Sequence, residues 1–167
     1  MIGHAKFPLS DDSKLAPELA DIKGWINSAP LRLSELRGRV VFLDFWTFGC
    51  SNCVRTIPHM NELHRKYPSD ELVIIGVHTP EFESEKDANN VRLAVERLDI
   101  EYPVALDSEN TTWRLYGNRY WPRQTLVDWS GEVRYEHIGE GGYDEIENQV
   151  AGLLAEAAGK RKLEEKA

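Results

Sequence analysis

The stretch from Trp46 to Cys53 reads WTFGCSNC and holds both cysteines of the chain. Two thiols separated by Ser51 and Asn52 can exchange disulfides, supply half of a metal site, or simply fill buried space. If Cys50 opens a helix, the unpaired N–H groups and positive dipole end there favour thiolate over thiol. Cysteines in such CxxC settings have pKa values lowered to roughly 3.5–7.5, which gives a working nucleophile at neutral pH. Cys53, one helical turn on, can attack a mixed disulfide formed at Cys50, which is thiol–disulfide exchange. Structural zinc takes about four ligands, usually from a second CxxC or a suitably spaced His pair. His59 and His64 are five apart and point to different helix faces, while His78 at a strand end keeps a soft-metal site open.

These thiols need a strand to deliver them and a helix to hold them. RVVFLDFW (Arg39 to Trp46) is an apolar, β-branched and aromatic run suited to a strand buried on both faces. A helical pattern follows from Cys50 to about Tyr67, with Ile57, Met60, Leu63 and Tyr67 at three- and four-residue spacing. ELVIIGVH (Glu71 to His78) is a second buried strand, and strand–helix–strand order fits a right-handed parallel crossover. Upstream, LADIKGWIN and APLRLSELRG read as short strands around a turn, an N-terminal β-hairpin extension, with Ser34 capping one helical turn.

Downstream, Lys86 to Leu98 is helical, EYPVALD is a short strand, and ENTTWRLYG is a short helix stopped by Gly117. Arg123 to Gly139 alternates like a hairpin around Trp129-Ser130-Gly131. Tyr143 to Ala158 puts Ile146, Val150, Leu153 and Leu154 on one stripe. The sum is an α/β sandwich over residues 19–158, with an irregular lead-in (1–18) and a charged, solvated tail (159–167).

A length of 167 residues suits one domain with a sizeable core. The net charge of -8 argues against a nucleic-acid groove, which needs clustered Lys and Arg. VVFLDFW and LVIIGV, the longest apolar runs, are too short to span a bilayer, so no membrane insertion is expected. MIGHAKFPLSDDSK lacks an apolar segment of signal-peptide length. The expectation is a soluble chain, cytoplasmic as written and extracytoplasmic if it is a domain of an exported or anchored protein. Phosphate-loop, nucleophile-elbow and HExxH patterns are absent from the sequence.

FLDFWTFGC resembles the strand that, in the thioredoxin superfamily, delivers Trp and an acid just before the redox pair. The finer likeness is to the TlpA/DipZ-like thiol-disulfide oxidoreductases, or redoxins. It is carried by the run from Gly24 to Met60, by GVHTPEFESEKD and by YGNRYWPRQTLVD. The resemblance implies a thioredoxin-like three-layer sandwich, with a mixed central sheet and flanking helices. It also implies that Cys50 attacks, Cys53 resolves and Asp44 is the buried acid exchanging a proton with Cys53. Pro122 matches the family's cis-proline and would turn the Trp121 backbone toward substrate, while Pro58 kinks the active-site helix. Trp46 and Phe48 are expected to form an apolar collar that shields the thiolate and meets substrate. The implied partners are protein disulfides or dithiols and an upstream redox partner, with no cofactor and no metal.

Other residues near these motifs read first as structure. Glu81 and Glu83 are surface loop acids before they are groups tuning the site, and Arg55, Arg119 and Arg123 are solvated charges before they supply potential at the thiolate. Two competing functions share the fold. Peroxiredoxins use Thr-x-x-Cys, which Thr47 to Cys50 matches, but carry proline where Leu43 stands. A non-catalytic module would handle copper or dock partners through the cis-proline groove, but a copper protein of this fold usually has three residues between its cysteines rather than two, and a partner histidine. Ser51-Asn52 is neither the Gly-Pro of reducing thioredoxins nor the Pro-His of the strong periplasmic oxidant, and its lack of positive charge points toward a reductant.

Overall fold

The two apolar runs form the centre of the sheet. In a computed structural model that describes residues 15–166, β2 (Val40–Trp46) and β3 (Leu72–His78) are buried at every position. They pair in parallel from Val40↔Leu72 to Trp46↔His78. β-branched and aromatic side chains fit this doubly covered pleat, and each fully buried Val, Ile, Leu or Phe contributes about 1.5–3 kcal/mol. α1 (Ser51–Lys66) makes the crossover between them, and α2 (Ala88–Arg97) carries the chain on to β4 (Val104–Leu106). After α3 (Thr111–Leu115), β5 (Arg123–Val127) returns antiparallel to β2, and β6 (Val133–Ile138) closes that edge. With β1 (Trp25–Ile26) on the other edge, the six-strand order is β1-β4-β3-β2-β5-β6.

The pleat sorts side chains to two faces. Val40, Phe42 and Trp46 join Ile57 and Met60 of α1, Val91 of α2 and Val150 of α4 (Tyr143–Glu165) on one side. Val41, Leu43 and Phe45 join Leu33, Leu36 and Trp113 on the other. The architecture is therefore a mixed sheet between two helical layers, a thioredoxin-like α/β sandwich.

Several elements differ from the sequence expectation. No N-terminal β-hairpin forms among the described residues. Only Trp25–Ile26 is a strand, and it pairs with β4 rather than with its neighbour in sequence. Asn27 turns the chain away: it has φ 68°, and its amide donates to the carbonyls of Ile100 and Tyr102 at 2.8 and 3.1 Å. The following Leu33–Leu36 is a 3₁₀ turn. Ser34 does not cap it. Glu18 supplies the acceptor, taking the N–H groups of Leu33 (2.7 Å) and Ser34 (3.1 Å).

The helix expected from Lys86 begins instead at Ala88, because Asp87 sits as an extended N-cap and accepts from the N–H of Asn89 and Asn90. A 3₁₀ turn, Glu83–Lys86, precedes it. β5 is buried throughout rather than alternating, since both its faces are covered, whereas edge strand β6 alternates. α4 itself continues past Ala158 to Glu165, although its buried stripe ends at Ala157. Of the lead-in, residues 1–14 lie outside the described residues, while Leu15 bridges to Glu132 and Ala16 donates to Gly131 O at 2.9 Å.

Candidate active site

β2 ends at Trp46, and the four residues Thr47 to Cys50 turn the chain into α1. Cys50 is the extended N-cap residue of that helix, at φ -97° and ψ 114°. A serine or aspartate would ordinarily cap here; instead the Cys50 sulfur accepts the Cys53 N–H at 3.3 Å. The thiol is half-buried, and its Sγ lies 3.9 Å from the Trp121 carbonyl oxygen. The Trp121–Pro122 peptide is cis. Cys53, one turn into the helix, is fully buried. Burial pushes its thiol far up from the ordinary range, and the hydrogen-bonding contact with Cys50 and the nearby Asp44 charge add to that.

Asp44 sits below this pair on the same face of β2, opposite Gln124 of β5 and Gly76 of β3. It is fully buried, and neither carboxyl oxygen has a hydrogen-bond partner. Burial raises its pKa to about 7, and Gln124 lies near enough to pull slightly the other way. A carboxyl titrating near neutrality beside a buried thiol is suited to holding or releasing one proton there.

The aromatic residues divide by depth. Trp46 is fully buried, edge-on to His78 at 4.8 Å between ring centres, so it lies under the site rather than on its rim. Phe48 and Trp121 are half-buried and stand at the opening. Phe48 stacks on His78 at 5.5 Å, and Trp121 stacks on Trp113 at 4.0 Å while donating its indole N–H to Thr79 O at 2.9 Å. Pro122, the next residue, is buried.

The charged residues named from sequence behave differently from one another. Arg55 is exposed and forks onto Glu140 at 2.7 and 2.8 Å while also bonding Asn52 Oδ1. Arg119 is exposed. Arg123 is not a solvated charge: it is buried in the sheet and pairs with Glu136 at 2.8 Å. Glu81 and Glu83 are exposed.

Sequence reading passed over the buried acid between them and α2. Glu85 is 3% exposed, and its Oε1 accepts from the Thr47 hydroxyl at 2.6 Å and from the N–H groups of Glu81 and Phe82 at 2.9 and 3.4 Å. His78 lies on the other side of the same loop, with Nε2 accepting the Phe48 N–H at 3.3 Å. Burial holds that imidazole neutral, its pKa pushed down to about 3. Through Nε2 it braces the loop. Among the described residues, no three or more His, Cys, Asp or Glu side chains gather into a metal site. Glu85 stands in a run of four acids over Glu81–Asp87 with no periodicity to single it out, so only the folded loop reveals it.

The chain is 46% identical over 145 residues to Protein DipZ of Mycobacterium tuberculosis, covering 85% of this chain but 21% of that protein. The chain thus spans about a fifth of that relative's length. It is 31% identical to the thiol-disulfide oxidoreductase ResA of Geobacillus kaustophilus, over 81% of this chain and 72% of ResA. The crystal structure of a thiol-disulfide isomerase from Corynebacterium glutamicum superimposes with a TM-score of 0.76 at 25% identity, covering 83% of this chain and 96% of that one. Residues 15–136 match the AhpC/TSA family, and with nearly three-quarters of its length in that match the chain belongs to the AhpC/TSA family.

Proposed function

We propose that the chain exchanges disulfides with protein substrates through Cys50 and Cys53. The observation that carries this reading is a half-buried thiol at the first turn of α1, accepting the N–H of a second, fully buried cysteine one turn on. The Cys50 thiolate attacks one sulfur of a substrate disulfide, forming a mixed disulfide and releasing the other substrate sulfur as a thiolate. Cys53 then passes its proton to the Asp44 carboxylate and attacks Cys50 Sγ, so that the substrate leaves as a dithiol and Cys50–Cys53 is oxidised. An upstream dithiol reverses that oxidation, and no cofactor takes part.

Phe48, Trp121 and Pro122 shape the groove in which an extended substrate lies, with the Trp121 carbonyl available to its backbone. Trp46 keeps water from the floor of the site. The direction is reductive: Ser51 and Asn52 between the cysteines carry no positive charge, and the charge of nearby Arg55 is offset by its pairing with Glu140. A dithiol whose reduced form receives little stabilisation is the better donor of electrons. The exchange unit is the domain over residues 19–158, and the charged end, 159–167, serves no chemistry.

The test is trapping. Cys53→Ser is expected to accumulate mixed disulfides with reducible protein substrates, whereas Cys50→Ser yields none. Equal trapping by both variants, or by neither, counts against the assignment.

A further inference from the structure

The loop that carries the nucleophile is held by two buried side chains, His78 and Glu85. His78 Nε2 accepts the Phe48 N–H and lies 3.4 Å from the Thr47 hydroxyl, which donates to Glu85 Oε1. The second carboxyl oxygen of Glu85 lies against Gly49: a Cβ placed there would come within 2.2 Å of Oε2. Gly49 is thus the one residue type that lets the carboxylate reach the position immediately before Cys50. Glu85 also takes the N–H groups of Glu81 and Phe82, so a single buried side chain joins the nucleophile loop to the loop after β3. That second loop is in turn tied to the cis-proline segment through the Trp121 indole and Thr79 O.

We infer that Glu85 is a positioning residue for the exchange reaction: its carboxylate fixes Thr47-Phe48-Gly49 beneath Cys50 and sets a negative charge behind that loop which restrains thiolate formation. This rests on the exchange function proposed above. Three donors converge on one oxygen of this buried carboxyl group, and Gly49 lies against the other. The charge opposes the helix dipole at Cys50 and so keeps the pair reducing.

Glu85→Gln retains an oxygen for Thr47 and removes the charge. Alkylation of Cys50 by iodoacetamide at pH 6 should then run several-fold faster than in the unaltered protein. The equilibrium with glutathione should move about tenfold toward the dithiol, or ~30 mV upward. Thr47→Val keeps the charge but cuts the grip, and should slow exchange with a protein disulfide several-fold without raising the alkylation rate. If Glu85→Gln lowers thermal stability yet leaves alkylation and equilibrium at the unaltered values, Glu85 is structural and the inference is overturned. Should Glu85→Gln fail to fold, Thr47→Val decides: exchange at the unaltered rate overturns the inference. Alkylation reads Cys50 alone, so it still tests Glu85 if the pair forms no reversible disulfide and the exchange reading itself fails.

Discussion

Asp44 places a carboxyl group without partners in the apolar floor of the site, and its pKa of about 7 has a consequence for stability. Well below its ordinary value of 3.8 the group is neutral folded and unfolded, so it imposes no cost. Between its ordinary value of 3.8 and about 7 the unfolded chain ionises and the folded one does not. Stability therefore falls across that window, by on the order of 4 kcal/mol in all, and levels off above it. Asp44→Asn should abolish that slope, gaining stability relative to the unaltered protein at pH 8 but not at pH 4, as read from urea midpoints. The same variant should slow resolution of the mixed disulfide at neutral pH. Cys50 and Cys53 were legible because residue type and spacing carry the chemistry, and Asp44 through the resemblance of its strand to that of the thioredoxin superfamily. Glu85 and the burial of Arg123 were not, because they depend on which loop folds over which.

At the scale of elements, Gly76 shows why β3 carries a glycine in a run of β-branched residues. A Cβ there would stand 3.0 Å from both Trp46 Nε1 and Tyr102 Cε2, beside Asp44 on the neighbouring strand. Gly76→Ala should overpack this layer and cost about 1–3 kcal/mol in denaturant unfolding. At the other end of the chain, removal of residues 159–167 should cost no more than about 1 kcal/mol. The described part of that tail is mostly exposed, and its clearest tie is Lys160 over the Trp129 ring at 5.3 Å. The long buried strands were readable because a continuous apolar run marks each, and the crossover helix because its apolar residues recur at three- and four-residue spacing. The N-terminal hairpin was misread for a local reason: Leu33 and Leu36 satisfy their burial as a 3₁₀ turn capped by Glu18, a contact fifteen residues away from Leu33 in sequence.

The whole molecule is a mixed sheet covered on both sides, which sets the ends of β2 and β5 side by side and so brings Cys50 to the Trp121–Pro122 peptide. Among the described residues no helix is long and apolar enough to cross a membrane. With a formal charge of -8 the surface is acidic, and association with acidic partner proteins should strengthen as salt is raised. Stopped-flow exchange at two ionic strengths reads that directly. The central claim is that Cys50 and Cys53 form a working redox couple, and its most direct test is their reduction potential, equilibrated against glutathione or dithiothreitol and followed by tryptophan fluorescence. The account predicts a reversible disulfide with a potential of about -250 mV or below, in the range of thioredoxin-type reductants. A potential above about -180 mV would reverse the direction assigned here, and a pair that forms no reversible disulfide would contradict the exchange function itself.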